Sequence, residues 1–388
     1  MLQIADDLKQ RMGVWRRDIH QHAEIAFQEH RTAGLVAKHL NQLGLEVHTG
    51  LGGTGVVGVL RSGTSAEAIA LRADMDALPM NEATKKPYAS INQGCFHGCG
   101  HDGHTAMLLG AAEMLSRNTQ HFDGTIIFIF QPAEEGEGGA VAMMDDGLFE
   151  RFPVNNIFGL HNWPELPLGS FAVRRGAMMA AFERFDITLS GRGGHAALPQ
   201  ETVDPILMMS SLAQMLQTIV SRNINPTDPA VVSITKAHAG SAYNIIPQTA
   251  TLAGGARYFS QTAGALINQR IREISDAIAT SYGGKVSVEI EKIFTALVND
   301  DEATDRCVEV ARLIAGDDKT DADYAPIMAS EDFAYMLERV PGCYILMGTG
   351  AGADDPMLHN PHYDFNDDAL AIGVKYWCAL AQRCLPAA

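Results

Sequence analysis

Short apolar runs of strand length recur along the first half of the chain, and a helical segment lies among them. The runs are Val56–Leu60, Ile69–Arg72, Thr125–Phe130 and Asn156–Leu160, and His104–Arg117 is predicted to be a helix. Strands that are apolar on both faces are typical of sheets that helices cover on either side. Strands that alternate with helices also favour parallel pairing. The pattern therefore predicts an α/β domain with a mostly parallel sheet.

The pattern changes near Phe182, where apolar and polar residues begin to alternate. Phe185, Ile187 and Leu189 occupy every second position, which is typical of a strand with one face in water. The segments that follow are predicted as a helix at Val203–Arg222, strands at Ala230–Lys236 and Thr249–Phe259, a helix at Ala263–Tyr282 and a strand at Val286–Ile290. This is the element order of a ferredoxin-like unit. We therefore expect a smaller α+β domain at 182–293, inserted into an α/β domain made of 1–181 and 294–388.

Helices and strands also flank these regions. Residues 1–45 are predicted to be helical, with Gly44 at the C-cap. After the insert, a helix is expected at Glu302–Ala315, a strand at Cys343–Met347 and a terminal helix at Asp367–Cys384. Both ends of the chain therefore contribute to the larger domain.

The charge of the chain argues against two classes of partner. Its 388 residues include 29 Lys and Arg against 46 Asp and Glu, a net charge of −17. Nucleic-acid binding needs clustered cations, and acidic membrane surfaces repel an acidic protein. We therefore expect neither nucleic acid nor membrane as a partner, and an anionic substrate would need local cations to attract it.

Cysteine usage and the first residues predict the compartment. The six cysteines are widely spaced, and a chain of this length needs no disulfide framework. Met1–Gln10 contains no apolar run, and no stretch of eighteen apolar residues occurs. We expect reduced thiols and a cytoplasmic protein without a membrane span.

The segment Cys99–His104 places a thiol, two imidazoles and a carboxylate within six residues. Cysteine, histidine and carboxylate are the usual ligands of zinc and related ions. The glycines at 98, 100 and 103 would let the backbone turn tightly beside an ion. The alternative is a glycine-rich turn with a buried structural cysteine.

A second candidate segment, Gln131–Gly139, directly follows an apolar strand and carries three glutamates. Open α/β sheets form their ligand crevices at the carboxyl ends of strands. Adjacent carboxylates at such a position can divide the work, one holding a metal and the other accepting a proton from water. The alternative is a solvated acidic loop, which is common in so acidic a chain.

Two single histidines complete the pattern. His161 directly follows the predicted strand Asn156–Leu160, and His359 lies in a polar loop before the last helix. Several unconnected loops that offer soft and hard ligands together fit one crevice with two metal ions, which such enzymes hold roughly 3.5–4 Å apart. The sequence therefore predicts a dimetal centre.

Other catalytic motifs are missing or lack their context. Residues 50–55 match the dinucleotide pattern G-x-G-x-x-G, but a predicted strand follows where that pattern requires a helix. The sequence contains neither a phosphate-binding G-x-x-x-x-G-K-[ST] nor a G-x-S-x-G element. These observations weaken the nucleotide-hydrolase and serine-hydrolase interpretations.

In its motifs and their order the chain resembles a known family. It is similar to the hippurate hydrolase and indoleacetyl-amino-acid hydrolase branch of the aminoacylase and carboxypeptidase-like metallohydrolases. The resemblance covers nearly the whole length, and its motifs are 71–79 (LRADMDALP), 99–104 (CGHDGH), 131–135 (QPAEE), 159–161 (GLH), 191–199, 243–247 (YNIIP), 330–333 (SEDF) and His359. Related carboxypeptidases have His-x-Asp where this chain has Asp74-Met75-Asp76, and the change goes with the cysteine-containing branch.

The resemblance implies a role for each site residue. The implied metal ligands are Cys99, His101, Glu135, His161 and His359. Glu134 is implied as the general base that activates water and then protonates the leaving amine. Asp76 would orient a ligand, and His195, from the insert, would stabilise the oxyanion. Asn244 and Arg257 match positions that contact substrate.

The resemblance also implies the assembly and the cofactors. Because the histidine at the position of His195 often comes from the partner subunit, we expect a homodimer, or a higher homo-oligomer, formed through the insert as a dimerisation and lid domain. Two divalent ions per subunit are expected, and manganese, zinc, cobalt and nickel all suit such a ligand set.

Three functions remain open. The first is a metal-dependent amidohydrolase that cleaves hippurate-like N-acyl amino acids into a carboxylic acid and an amino acid. The second is the same chemistry on N-acetyl- or N-succinyl-diaminopimelate, whose additional carboxylate would need further cations. The third, of another class, is a non-catalytic amino-acid-binding protein, which would have no reason to keep a general base.

Overall fold

A computed structural model describes residues 4–352 and 355–387 and divides the chain into two compact units. The first unit comprises Met1–Met178, Val298–Pro326 and Glu331–Ala388. The second unit comprises Met179–Leu297 and Ile327–Ser330. Each unit has its own hydrophobic core.

Strands and helices alternate along most of the chain. The strands are β1 (Glu46–Leu51), β2 (Gly55–Ser62), β3 (Ala68–Asp74), β4 (Gly124–Gln131), β5 (Asn156–Pro167), β6 (Phe171–Ala172), β7 (Gly176–Met179), β8 (Ala181–Ser190), β9 (Gly194–His195), β10 (Ala230–Ala239), β11 (Ile245–Ile246), β12 (Thr249–Tyr258), β13 (Lys285–Phe294), β14 (Leu297–Asn299), β15 (Thr320–Asp321) and β16 (Gly342–Gly350). The α-helices are α1 (Asp6–Gln21), α2 (His30–Gln42), α3 (His101–Ser116), α4 (Gly139–Asp145), α5 (Leu148–Arg151), α6 (Pro205–Leu216), α7 (Thr218–Arg222), α8 (Gln261–Tyr282), α9 (Asp301–Ala315), α10 (Phe333–Leu337) and α11 (Leu370–Cys384).

The central sheet of the first unit has the strand order β1-β2-β4-β3-β5-β16-β6-β15. Its middle strands β4, β3, β5 and β16 are parallel, and β1, β2 and β4 pair antiparallel. Residues 52–54, in the middle of the glycine-rich segment 50–55, form the short turn between β1 and β2, and such a short connection permits only antiparallel pairing. The predicted fold class is confirmed, and the glycine-rich segment does not precede a helix.

Helix α3 lies in the interior of the first unit. Every residue from His101 to Leu115 is buried, because α3 packs against α1, α11 and strand β3. An apolar helix of this kind is fully covered by its neighbours. Its first turn, which contains the predicted ligand His101, is therefore held on all sides.

The second unit contains a four-stranded antiparallel sheet of order β10-β12-β8-β13. Helices α6 and α8 pack on one face of it. The buried positions of β8 alternate with exposed ones, as predicted from Phe185, Ile187 and Leu189. This is a ferredoxin-like arrangement.

Three element predictions need correction. The region 1–45, of which residues 1–3 lie outside the described part, forms two helices and not one. The Glu24 carboxylate accepts hydrogen bonds from the amides of Arg31 and Thr32, and these bonds stabilise the start of the separate helix α2. The helix predicted at 203–222 begins only at Pro205, after the N-cap Asp204, and is divided at Gln217. The strand predicted to end at Leu160 continues to Pro167.

Within the described residues, none of the helices has the length and apolar character that crossing a membrane requires.

Candidate metal centre

Four separate segments of the first unit bring polar side chains to the same place. Cys99 and His101 lie at the start of α3, and Glu134 and Glu135 follow β4. His161 lies inside β5 and not just beyond its end as predicted, because the strand continues to Pro167. His359 lies in the loop before α11. The predicted crevice at the strand ends is therefore built from residues far apart in sequence.

The spacing of the ligand atoms suits metal ions. Cys99 Sγ lies 3.4 Å from His161 Nε2, His101 Nε2 lies 3.9 Å from Glu135 Oε1, and Glu135 Oε1 lies 3.3 Å from His359 Nε2. Donor atoms at about 2.0–2.3 Å from a tetrahedral ion lie roughly 3.3–3.8 Å from one another. The measured separations fall close to that range.

Two overlapping groups of donor atoms consist entirely of predicted ligands. The donor atoms of Cys99, His101 and His161 all lie within 4.8 Å of one another, and so do those of Cys99, Glu135 and His359. Cys99 belongs to both groups. The set can therefore supply ligands to two neighbouring ions.

Two of the donor atoms are buried without a hydrogen bond. Among the described residues, neither His101 Nε2 nor Glu135 Oε1 has a hydrogen-bond partner. A buried polar atom left unpaired costs about 1–3 kcal/mol, and native structures rarely tolerate it without a reason. A bound cation would satisfy both atoms, so the residues present fit a metal site.

The histidine rings are oriented from their other nitrogen. His101 Nδ1 donates to the backbone carbonyl of Asp76 at 2.9 Å and lies 3.2 Å from its carboxylate, and His161 Nδ1 donates to the carbonyl of Asn162 at 2.7 Å. The second carboxylate oxygen of Asp76 accepts from the amide of Glu135 at 3.1 Å. Metal-binding histidines are usually held in this way, with Nε2 left for the ion.

The site is strongly negative. Burial alone lowers the pKa of His101, yet Asp74, Asp76 and Glu135 raise it to about 10. Burial, and after it the carboxylate of Glu135, raises the pKa of the Cys99 thiol well above its usual value. Such surroundings favour added positive charge, and a thiolate forms there only beside a cation.

Glu134 lies beside the predicted ligand Glu135 but is more deeply buried. Its Oε1 accepts a hydrogen bond from the amide of Asp332 at 3.4 Å. Burial, and after it the carboxylates of Glu331, Glu135 and Asp332, raises the pKa of Glu134 well above its usual value. A carboxyl group whose pKa is moved towards neutrality can both accept and release a proton at working pH.

The glycines of the Cys99–His104 segment serve two purposes. Gly100 has φ +89°, which glycine adopts readily, and a Cβ there would lie 2.5 Å from Asn162 Oδ1. A Cβ on Gly103 would lie 2.3 Å from the ring of Phe365, and one on Gly98 would lie 3.0 Å from the ring of Phe96. The expectation of a tight turn is therefore correct only for Gly100, because the other two glycines make room for aromatic rings.

Two residues in this region adopt a left-handed backbone without being glycine. Ala133, immediately before Glu134, has φ +53°, and His359 has φ +64°. Their amides are held by hydrogen bonds, from Ala133 to the Glu29 carboxylate at 2.9 Å and from His359 to the carbonyl of Gly98 at 2.8 Å. Non-glycine residues in this region of φ cluster at functional sites.

A buried ion network next to the site has no counterpart in the sequence predictions. Arg72 is 1 % exposed and donates to Asp74 at 2.6 Å, Glu331 at 2.9 Å, Asp332 at 3.1 Å and Gln131 at 2.8 Å. The sequence carried a signal, since an arginine and an aspartate two residues apart in an apolar strand lie on the same face. That Glu331 and Asp332 also contact Arg72 is visible only in the folded structure.

Three predicted substrate or oxyanion residues belong to the second unit. His195 lies on β9, whose partner strand begins at Ile245, and Asn244 accepts a hydrogen bond from the amide of Ala196 at 3.0 Å. Arg257 lies on β12 and donates through Nη1 to the carbonyl of Met328 at 2.7 Å and to Ser330 Oγ at 2.8 Å. His195 and Asn244 therefore lie close together at one two-stranded ribbon. The Arg257 side chain is held by hydrogen bonds to the segment 327–330.

His20 is the centre of a buried charged cluster next to α3, and it gives a pH-dependent prediction. Its Nδ1 lies 2.8 Å from Asp102 and its Nε2 3.4 Å from Glu82, while Arg16 and the ring of His97 also face this group. Burial lowers the pKa of His20, but the hydrogen bonds to Asp102 and Glu82 outweigh burial and raise it to about 9. The protonated imidazole therefore stabilises the fold fully below about pH 6.5, its unfolded value, and this contribution is lost as the pH rises through 9.

We expect His20→Gln to lower the free energy of unfolding by up to about 3 kcal/mol at pH 6, with the difference shrinking by pH 9.5. Denaturant unfolding of both proteins at the two pH values measures the difference, and the titrations of groups remote from His20 cancel. The exposed His121→Gln provides the matched control. A His20→Gln difference that stays constant with pH would contradict the assignment.

Comparison with known proteins places the chain in a family. A model of peptidase family M20/M25/M40 matches residues 70–383. Hippurate hydrolase from Campylobacter jejuni is 42% identical over 379 residues, 98% of each chain, and IAA-amino acid hydrolase ILR1-like 2 from Arabidopsis thaliana is 36% identical over 375 residues, 95% of this chain and 84% of the relative. A Bacillus subtilis structure described as a dinuclear metal binding peptidase from the M20 family has a TM-score of 0.84 at 33% identity and covers 97% of this chain and 98% of its own. These matches confirm the resemblance seen in the sequence, and the chain belongs to peptidase family M20/M25/M40.

Proposed function

We propose that the protein is a metal-dependent amidohydrolase that cleaves N-acyl amino acids into a carboxylic acid and an amino acid. Two observations carry this proposal. The donor atoms of five predicted ligands lie close together, namely those of Cys99, His101, Glu135, His161 and His359. Two of these atoms, His101 Nε2 and Glu135 Oε1, are buried without a hydrogen bond. The relatives named as hydrolases of hippurate and of IAA-amino acids support the choice of substrate class.

The residues would divide the chemistry in the following way. The five ligands would hold two divalent ions, which supply Lewis-acid chemistry when bound. Glu134 takes a proton from the attacking water as the water oxygen bonds to the acyl carbon. Glu134 then gives that proton to the amide nitrogen as the carbon–nitrogen bond breaks, so the amine leaves neutral. Asp76 keeps the ring of His101 and the backbone of Glu135 in place through its two carboxylate oxygens.

We further propose that His195 stabilises the oxyanion and that Asn244 and Arg257 bind the substrate carboxylate. Charge supports the last assignment, because a carboxylate approaching a chain of net charge −17 needs a local cation. Burial lowers the pKa of Arg257, but a guanidinium stays charged in proteins.

The six free cysteines support a cytoplasmic location.

Metal removal and return tests the proposed function. The protein stripped with a chelator is expected to release no amine from any substrate, and Mn²⁺, Co²⁺, Zn²⁺ or Ni²⁺ is expected to restore release. The substrate panel contains benzoylglycine, N-acetyl amino acids and N-acetyl- and N-succinyl-diaminopimelate. Preference for the diaminopimelates would favour the biosynthetic deacylase, and amine release from no substrate with any ion would favour a binding protein.

We also propose a homodimer that forms through the inserted domain 182–293, with His195 acting in the partner's active site. The surface around the β9–β11 ribbon is apolar and exposed, since Tyr243 is fully exposed, Ile245 57% exposed and Leu198 44% exposed. Large exposed apolar side chains close together are typical of an interaction site.

Mixing two inactive variants tests this assembly. Glu134→Ala and His195→Ala are each expected to be nearly inactive. If His195 acts across the dimer, refolding an equal mixture restores about a quarter of wild-type activity, because half of the dimers are mixed and each has one complete site. Activity that stays at the level of the separate variants would place His195 in its own subunit, and a monomer in sedimentation would exclude the dimer.

A further inference from the structure

The second histidine of the Cys99–His104 segment, His104, makes two buried hydrogen bonds. Its Nδ1 lies 2.6 Å from Asp74 Oδ1, and its Nε2 lies 3.1 Å from the backbone nitrogen of Asn162. The side chain is 2 % exposed. Both ring nitrogens are therefore occupied by the protein itself.

The partners of His104 fix its tautomer. A backbone N–H can only donate, so Nε2 of His104 carries no proton and accepts from Asn162. The proton is then on Nδ1, where it is donated to Asp74, whose other oxygen accepts from Arg72 at 2.6 Å. His104 has no lone pair left for an ion, although its ring lies within 4.8 Å of the donor atoms of Asp74 and His101.

Asn162 connects His104 to a proposed metal ligand. The carbonyl of Asn162 accepts the Nδ1 proton of His161 at 2.7 Å, and its side-chain amide donates to Tyr363 at 2.7 Å. With Nδ1 engaged, His161 presents Nε2 to Cys99 Sγ at 3.4 Å. The position of the Asn162 backbone, held at its nitrogen by His104, therefore decides where the His161 ring points.

We propose that Arg72, Asp74 and His104 form a positioning chain that holds the Asn162 backbone and thereby fixes the tautomer and orientation of His161. His104 is a positioning residue and not a metal ligand, although it lies in the same six-residue segment as Cys99 and His101. This inference rests on the proposed function, in which His161 binds an ion. Partners of this kind typically change metal affinity by about 10–100-fold.

The tautomer is tested directly by NMR of protein labelled with ¹⁵N in its histidine rings. The signals missing from the spectrum of His104→Gln identify His104. We expect the Nδ1–H tautomer for His104 both without metal and with saturating Zn²⁺, while the ring nitrogens of His101 and His161 shift when Zn²⁺ is added. A metal-induced shift of the His104 nitrogens as large as that of His101 would overturn the proposal.

Two variants of equal side-chain length test the effect on the ion. The oxygen of glutamine in His104→Gln can still accept from the Asn162 amide, whereas the thioether of His104→Met cannot do so effectively. Competition with a chelator for Zn²⁺ is expected to show affinity within about threefold of wild type for His104→Gln and about 10–100-fold weaker for His104→Met. Both variants are expected to bind two ions per subunit at saturation, and His121→Gln serves as the exposed control.

The possible outcomes separate the two proposals. Equal Zn²⁺ affinity of the glutamine and methionine variants would mean that His104 acts only through packing. Loss of one ion from His104→Gln would mean that His104 is itself a metal ligand. Either result overturns the positioning chain while the hydrolase stands. A wild-type protein that binds no ion would overturn both.

Discussion

Glu134→Ala is expected to lower turnover by about 10²–10⁴-fold while leaving the metal content unchanged. The side chain is buried beside the proposed ligand Glu135, and burial, followed by the charges of Glu331 and Glu135, raises its pKa. Asp74, Glu331 and Asp332 are paired with Arg72. Asp76 is also buried, but its two oxygens contact His101 Nδ1 and the amide of Glu135. Among the described buried carboxyl groups of the site, this leaves Glu134 to carry a proton. Its loss would therefore remove the group that moves the proton from water to the leaving amine.

Turnover on the best substrate of the panel, together with metal analysis of the same preparation, measures this effect. The exposed neighbour Glu137→Ala is the matched control and should retain full activity. Near-normal turnover of Glu134→Ala would remove this residue from its proposed role, whereas loss of metal would make it a ligand.

Arg72→Met is expected to lower the free energy of unfolding by about 3–5 kcal/mol. The guanidinium is buried, and it compensates the carboxylates of Asp74, Glu331 and Asp332. Removing it leaves several buried acidic groups without a cation, which costs far more than the loss of one hydrogen bond. Methionine fills a similar volume, so the change reports mainly on charge.

Denaturant unfolding of Arg72→Met and of two comparison variants measures this contribution. Arg72→Lys keeps one positive charge but not the planar fork, so it should fall between wild type and Arg72→Met. Arg383→Met breaks an exposed ion pair with Glu309 and should cost less than about 1 kcal/mol. An Arg72→Met protein as stable as Arg383→Met would show that the buried carboxylates do not depend on the arginine.

Much of the fold could be predicted from the sequence, because strands that are buried on both faces leave long apolar runs. β3 and β4 were found in this way, and so was the ferredoxin-like order of the second unit. The short strands β6 and β15 were missed, since two residues are too few to show any periodicity. The break between α1 and α2 was missed as well, because a glutamate side chain, Glu24, and not a glycine or proline begins the second helix.

The site divides in a similar way. Most of the predicted ligands could be recognised because histidines and glutamates directly beside apolar strands or helices stand out, since charged side chains are seldom fully buried. Their supporting partners could not be found, since Asn162 acts through its backbone and Asp332 contacts Gln131 across 201 residues of sequence. A sequence shows which side chains are present, but such contacts depend on the sheet order that folding creates.

The wide separation of the donor residues also has a consequence for how the protein is made on the ribosome. Cys99, His101 and His161 leave the exit tunnel first, but His359 follows about 200 residues after His161, which is roughly 10–40 s at ordinary translation rates. During this interval β5 lacks its neighbour β16, so an unpaired strand edge is open to water. Of the two proposed ligand groups, the one made of Cys99, His101 and His161 is therefore synthesised early, whereas the one that includes His359 is complete only when synthesis is almost finished.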